Sequence, residues 1–185
     1  AALLALGLLA CTSTPGAEAG GSPAATNTTA VVYLARHGET EGEDPVGRWL
    51  SAAGRARAEA LAEELAGAGI ETIYTTDYRR TRETAAPLAE RLGLEPVLYD
   101  PDDLAGFAAR LREELGEAGG TVLVMGHSNT TNELVAFLGG EPGTPIAEDE
   151  HDRLYRVELP SGATELLRFG PPAAEPETGP GPDGP

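Results

Sequence analysis

Four short runs of apolar and β-forming residues punctuate the chain: Val31 to Ala35, Ile73-Tyr74-Thr75, Pro96 to Tyr99, and Val122 to Met125. Continuous runs of this length predict strands covered on both faces of a sheet. Around them apolar residues recur at helical spacing: Ala58, Leu61, Ala62, Leu65; Thr81, Ala85, Leu88, Leu92; Leu104, Phe107, Ala108, Leu111, Leu115; and Thr131, Leu134, Val135, Leu138. Each set falls on one helix face. Pro87 lies inside the second set and is expected to bend that helix, because it removes a backbone donor. Gly93 and Gly139 are expected helix ends. Arg153 to Leu159 and Thr164 to Phe169, joined through Pro160-Ser161-Gly162, predict a closing hairpin. Strands alternating with helices predict an α/β fold, a three-layer sandwich with a mainly parallel central sheet flanked by helices. Only a short polar stretch separates Glu39 from Trp49, and Trp49 and Leu50 read as local packing.

The ends break this pattern. Residues 1–11 form an apolar run ending in Leu8-Leu9-Ala10-Cys11, which resembles the h-region of a secretory signal closed by a lipobox. It is shorter than the roughly 20 apolar residues a transmembrane helix needs. Cys11 is the only cysteine, so no intrachain disulfide forms, and it is the expected lipidation site. Residues 12–29 then read as a flexible tether, 30–170 as the one globular domain, and 171–185, rich in Pro, Gly and acid, as a disordered tail. The expectation is an exported protein, anchored through lipid to the bacterial cell envelope on its periplasmic or extracellular face.

Thirty acidic against 13 basic residues give a net charge of −17. Such a surface repels polyanions, so nucleic acid is not an expected partner. With only His37, His127 and His151, no helical His pair and no Cys-His cluster, no metal site is expected.

The candidate chemistry gathers at strand ends, where ligands bind in sheets of this kind. Arg36-His37-Gly38-Glu39 follows the first strand. A His there can face a cleft, Gly38 permits close backbone approach, and Arg36 offers paired planar donors for phosphate oxygens. Gly126-His127-Ser128-Asn129 follows the fourth strand, so the two imidazoles can meet. Ser128 and Asn129 suit helix caps, with backbone N–H groups that can face a phosphate. Thr76 to Ala85 opens a helix after the second strand, where an Arg in the first turn adds its charge to exposed N–H donors.

These elements together resemble the histidine phosphatase superfamily, the fold shared with cofactor-dependent phosphoglycerate mutases. Arg36-His37-Gly38 matches its Arg-His-Gly, Thr76, Arg80, Thr84 and Ala85 match its second element, and Gly126-His127 its late Gly-His. The resemblance implies that His37 attacks phosphorus, becomes phosphohistidine and yields the group to water, with Arg36, Arg80 and His127 holding the phosphoryl oxygens. It implies a small phosphorylated substrate and no cofactor. Family spacing favours Arg80 over Arg82, which suits nearby carboxylates, and leaves Arg79 as a further substrate contact. The proton donor falls in Tyr99-Asp100-Pro101-Asp102-Asp103, where Asp102 or Asp103 can serve, although each is also a natural N-cap for the following helix. No lid-forming insertion follows Tyr99, which favours hydrolysis. The alternatives are a phosphoglycerate mutase-type phosphotransferase and a catalytically silent phosphate-binding envelope lipoprotein.

Overall fold

The computed structural model describes residues 29–44 and 47–171. The lipobox at Cys11, the tether up to residue 28 and the tail from 172 lie outside them.

A six-stranded sheet has the order β5-β4-β6-β1-β7-β8. Its members are β1 (Ala30–Arg36), β4 (Thr72–Thr75), β5 (Val97–Leu98), β6 (Gly120–Gly126), β7 (Arg153–Leu159) and β8 (Thr164–Arg168). β5, β4, β6 and β1 run parallel, and the hairpin β7–β8 closes the sheet antiparallel to β1. Helices α1 (Ala52–Leu65), α2 (Arg79–Leu92), α3 (Leu104–Ala118) and α4 (Ser128–Phe137) supply the outer layers.

Alternation along β1 explains the layering. Val32 and Leu34 pack with Phe107, Leu111, Leu134 and Val135 of α3 and α4, while Ala35 packs with Leu61, Leu65, Ala85 and Leu88 of α1 and α2. Both faces of the sheet are therefore covered, and the strands need no polar face.

One detail differs from the sequence-based expectation. The stretch after Glu39 is not merely polar linker: Thr40–Glu41 (β2) pairs antiparallel with Trp49–Leu50 (β3). α2 continues through Pro87 to Leu92, ending on Gly93 in the left-handed region at φ 67°. The donor that Pro87 lacks costs one bond to the carbonyl four residues earlier without ending the helix.

The register positions the site. Arg36 stands opposite Gly126 in the β1–β6 ladder, so the two strands end level. His37 and His127 leave adjacent strand ends at the same edge.

Candidate active site

His37 follows the last residue of β1, and its N–H donates to the Gly126 carbonyl at 3.0 Å. Its Nδ1 lies 2.8 Å from the Gly38 carbonyl. A carbonyl only accepts, so Nδ1 carries the hydrogen and Nε2 keeps its lone pair. Burial pushes the imidazole down to about 3; the Gly38 bond opposes this, while His127, Arg36 and Arg80 reinforce it. His37 is therefore a neutral base at any ordinary pH.

Gly38 has a steric reason to be glycine. A Cβ there would stand 2.9 Å from the carbonyl oxygen of Gly54 and 3.0 Å from its Cα, in the first turn of α1. Its N–H donates to Thr84 Oγ1 of α2 at 3.0 Å.

His127 caps α4, and its N–H donates to Thr130 Oγ1 at 2.8 Å. Capping by Ser128 or Asn129 is thus corrected: both sit inside the first turn, because β6 delivers the chain into α4 one residue earlier. Arg80 Nη2 lies 3.2 Å from His127 Nδ1, and Thr76 Oγ1 lies 3.1 Å from Nε2. A guanidinium only donates, so Nδ1 accepts and the hydrogen sits on Nε2, pointing at Thr76. Burial first, then Arg80 and Arg36, bring His127 down to about 4. The His37 and His127 rings meet edge to face, with centroids 5.4 Å apart.

Arg36 is 7% exposed, and its Nη1 donates to the carbonyls of Ala147 and Glu150 at 2.7 and 2.9 Å. Its Nε is buried without a hydrogen-bond partner among the described residues. Arg80, stacked over Tyr78 at 4.5 Å, completes the positive end. Two clefts open on this cluster. The larger, about 470 Å³, is lined by Arg36, His37, Arg48, Arg80, Glu148, Asp149 and His151 among others. The smaller, about 280 Å³, is lined by His37, Tyr78, Arg80, Asp102, His127 and Asn129 with their neighbours.

The two aspartates separate cleanly. Asp103 caps α3 by accepting the Gly106 N–H at 3.1 Å, whereas Asp102 lines the smaller cleft. Arg82 pairs with Asp77 at 2.6 Å. Arg79 pairs with Glu83 at 2.6 Å and stacks on Trp49 at 5.6 Å; it lines neither of these two clefts. Trp49, 39% exposed, is occupied locally, its Nε1 donating to Glu41. Sequence reasoning did not single out His151, Arg48, Glu148 or Asp149. They lie on loops without a motif, and only the tertiary fold brings them to the cleft.

The arrangement presents an imidazole lone pair, a second imidazole and two guanidinium groups around one polar opening. It can hold a tetrahedral oxyanion against a nitrogen nucleophile. Among the described residues no three His, Cys, Asp or Glu side chains gather as a metal-binding group.

Comparison with known proteins agrees with this geometry. The model of the histidine phosphatase superfamily (branch 1) matches residues 32–102, a span that holds Arg36-His37-Gly38 and Thr76 to Ala85 and stops before His127. A Serratia proteamaculans protein named "Probable phosphoglycerate mutase GpmB" is 39% identical over 80 residues, which are 38% of this chain and 35% of that protein. "Phosphoserine phosphatase 1" of Hydrogenobacter thermophilus is 38% identical over 76 residues, 37% of this chain and 36% of that one. The chain thus spans about a third of the length of the curated relatives it matches. The solved structure of the protein histidine phosphatase SixA complexed with tungstate superposes with a TM-score of 0.63 at 22% identity, over 75% of this chain and 95% of that one. At that identity the likeness is one of fold. Residues 32–102, which hold the first two motifs, thus match the histidine phosphatase superfamily model, and the domain shares its fold with the SixA structure.

Proposed function

We propose that this protein is a metal-independent phosphatase that hydrolyses a small phosphorylated substrate through a phosphohistidine on His37. One observation carries the reading: the Gly38 carbonyl holds the hydrogen on Nδ1, leaving the Nε2 lone pair free on a ring that lines both clefts, beside Arg36 and Arg80 in the larger and Arg80 and His127 in the smaller. In the first step Nε2 forms a bond to phosphorus as the ester P–O bond breaks, and the departing oxygen takes a proton. In the second, water attacks phosphorus, the N–P bond breaks, phosphate leaves and the water proton returns to the donor. Asp102 is the carboxyl assigned to that transfer, since Asp103 is committed to capping. Arg36, Arg80 and His127 stabilise the equatorial oxygens, so catalysis is mainly electrostatic and positional. The first turn of α4, including Ser128, adds backbone donors at the positive end of its dipole.

The fold neighbour complexed with tungstate supports oxyanion binding in this architecture, and the relatives named as phosphatase and mutase support phosphoryl chemistry. The proposal includes attachment to the cell envelope through a lipidated Cys11, supported by Leu8-Leu9-Ala10-Cys11; a Cys11→Ala chain found in the soluble fraction after expression in bacteria would bear this out, and one still in the membrane fraction would not.

The test is hydrolysis of an aryl phosphate by the full chain in the presence of a chelator. Activity that survives chelation and disappears in His37→Ala is expected. Activity equal in His37→Ala would remove His37 from the reaction.

A further inference from the structure

The ladder that holds β1 runs out just before the chemistry begins. β7 last pairs with β1 at Ala35, opposite Leu154, so beyond Arg36 the chain has a strand neighbour on the β6 side only. There His37 N–H reaches Gly126. The His37 carbonyl turns out of the ladder, and the ring of His151, in the segment that leads into β7, meets it. Its Nδ1 lies 2.8 Å from the His37 carbonyl oxygen. That oxygen only accepts, so the bond survives whether His151 is neutral or charged.

The partner bond sharpens the point. The His37 carbonyl and the Gly38 N–H belong to one peptide unit, and the N–H donates to Thr84 at 3.0 Å. One peptide plane is therefore gripped at both ends, by α2 through Thr84 and by the β7 edge through His151. The Gly38 carbonyl that orients the nucleophile's Nδ1 follows directly from that plane. Gly38 has no side chain to restrict its own rotation, so the plane needs outside support.

The segment that carries His151 is itself anchored. The Glu150 carboxylate accepts from Arg153 and Arg168, each at 2.7 Å, and from the Ala147 N–H at 3.2 Å. The same segment takes both bonds from Arg36 Nη1. His151, 7% exposed, places its ring centroid 5.7 Å from that of His37. All three histidines of the chain thus converge.

We propose that His151 is a positioning residue: by holding the His37–Gly38 peptide it keeps the His37 ring in its attacking tautomer and orientation. The inference rests on the phosphatase reading for its kinetic consequence, though not for its structural one. The experiment compares His151→Asn, whose side-chain N–H can replace Nδ1, with His151→Leu, which leaves the carbonyl unpaired. Misplacement of a reacting group by about 1 Å costs on the order of 10²-fold. Accordingly, kcat for an aryl phosphate should fall about that much in the Leu variant with little change in KM, and the Asn variant should stay within roughly three-fold of wild type with an unmoved pH profile. Nitrogen-15 NMR of the His37 ring should report one tautomer in wild type and Asn and a mixture in Leu. Full kcat in the Leu variant overturns the proposal. An Asn variant as impaired as Leu also overturns it, and makes His151 a proton carrier instead. If wild type hydrolyses nothing, the phosphatase reading has failed, and the NMR comparison still decides: an unchanged His37 tautomer in Leu refutes the positioning role. His151→Ala carries the same comparison should the Leu variant not fold.

Discussion

At the scale of single residues, the two histidines differ in which ring nitrogen carries the hydrogen. Both are buried and drawn well below the ordinary imidazole range, yet His37 donates from Nδ1 to a carbonyl while His127 accepts at Nδ1 from Arg80. A doubly charged oxyanion placed between Arg80 and His127 has only acceptors, so His127 must become a donor at Nδ1. A proton taken up on binding makes it one, as does a shift of its hydrogen from Nε2 to Nδ1 with the Thr76 hydroxyl donating in return; the two differ in their pH dependence. For proton uptake the sign follows from linkage: the free His127 titrates at about 4 and the bound one higher, so between these values binding consumes a proton and weakens as pH rises, by about ten-fold per unit at most. Sulfate isolates the effect, because it does not itself titrate in this range. Sulfate affinity measured by calorimetry should rise from pH 8 to pH 6, and His127→Gln should flatten the dependence. A wild-type affinity independent of pH would mean that His127 meets the anion without changing its charge.

At the scale of elements, the site depends on α1 touching the Arg36-His37-Gly38 turn backbone to backbone. A Cβ on Gly54 would overlap the Glu39 carbonyl oxygen, and no side chain can yield there. Gly54→Ala should destabilise by about 2 kcal/mol despite the better helix propensity of alanine, as overpacking generally does. Gly116 in α3 meets nothing within 4 Å, so Gly116→Ala should instead stabilise by up to about 1 kcal/mol. Urea unfolding of the pair checks both signs. Beside Gly54, Arg57 is 2% exposed and pairs with Glu39 at 2.6 Å while donating to the Phe169 carbonyl at 3.0 Å. Burial would raise the Glu39 carboxyl, and the Arg57 bonds outweigh it, holding Glu39 below the usual range. Glu39 keeps a quarter of its side chain in solvent, so Arg57→Ala should cost about 3 kcal/mol, the lower end for a broken buried pair. These contacts also mark how far the sequence could be read. The strands and helices were legible because long apolar runs and helical spacing survive any tertiary context, and the Arg36, Arg80 and His127 motifs because strand ends fix where a side chain emerges. β2 and β3 were not, since two-residue pairs carry no period, and neither was His151, which acts from an acidic loop with no local pattern. Gly54 did leave a signal: a glycine just inside a helix otherwise rich in alanine is a local cost that asks for a close neighbour.

At the scale of the whole molecule, two fields compete for an anionic substrate. The net charge of −17 repels it at long range, while Arg36, Arg48 and Arg80 in the larger cleft attract it at contact. Arg79 is held by Glu83 outside that cleft, and Glu148 and Asp149 line the same opening. The local attraction is thus narrow, and the surrounding repulsion starts near the cleft mouth. Salt acts unequally on the two. The screening length shrinks from about 30 Å at 0.01 M to about 10 Å at 0.1 M, which removes most of the distant repulsion and leaves contacts of a few ångströms largely intact. Raising ionic strength across that interval should therefore increase kcat/KM for a dianionic aryl phosphate by a few fold, mainly through the rate of encounter. Folding stability should rise with it, because the same screening relieves repulsion among the surface carboxylates. Steady-state kinetics in sodium chloride, alongside thermal unfolding in the same buffers, test both. A steep fall in kcat/KM from the lowest ionic strength would show that the three arginines, not the net charge, govern approach, and that the cleft projects its positive potential well beyond its own rim.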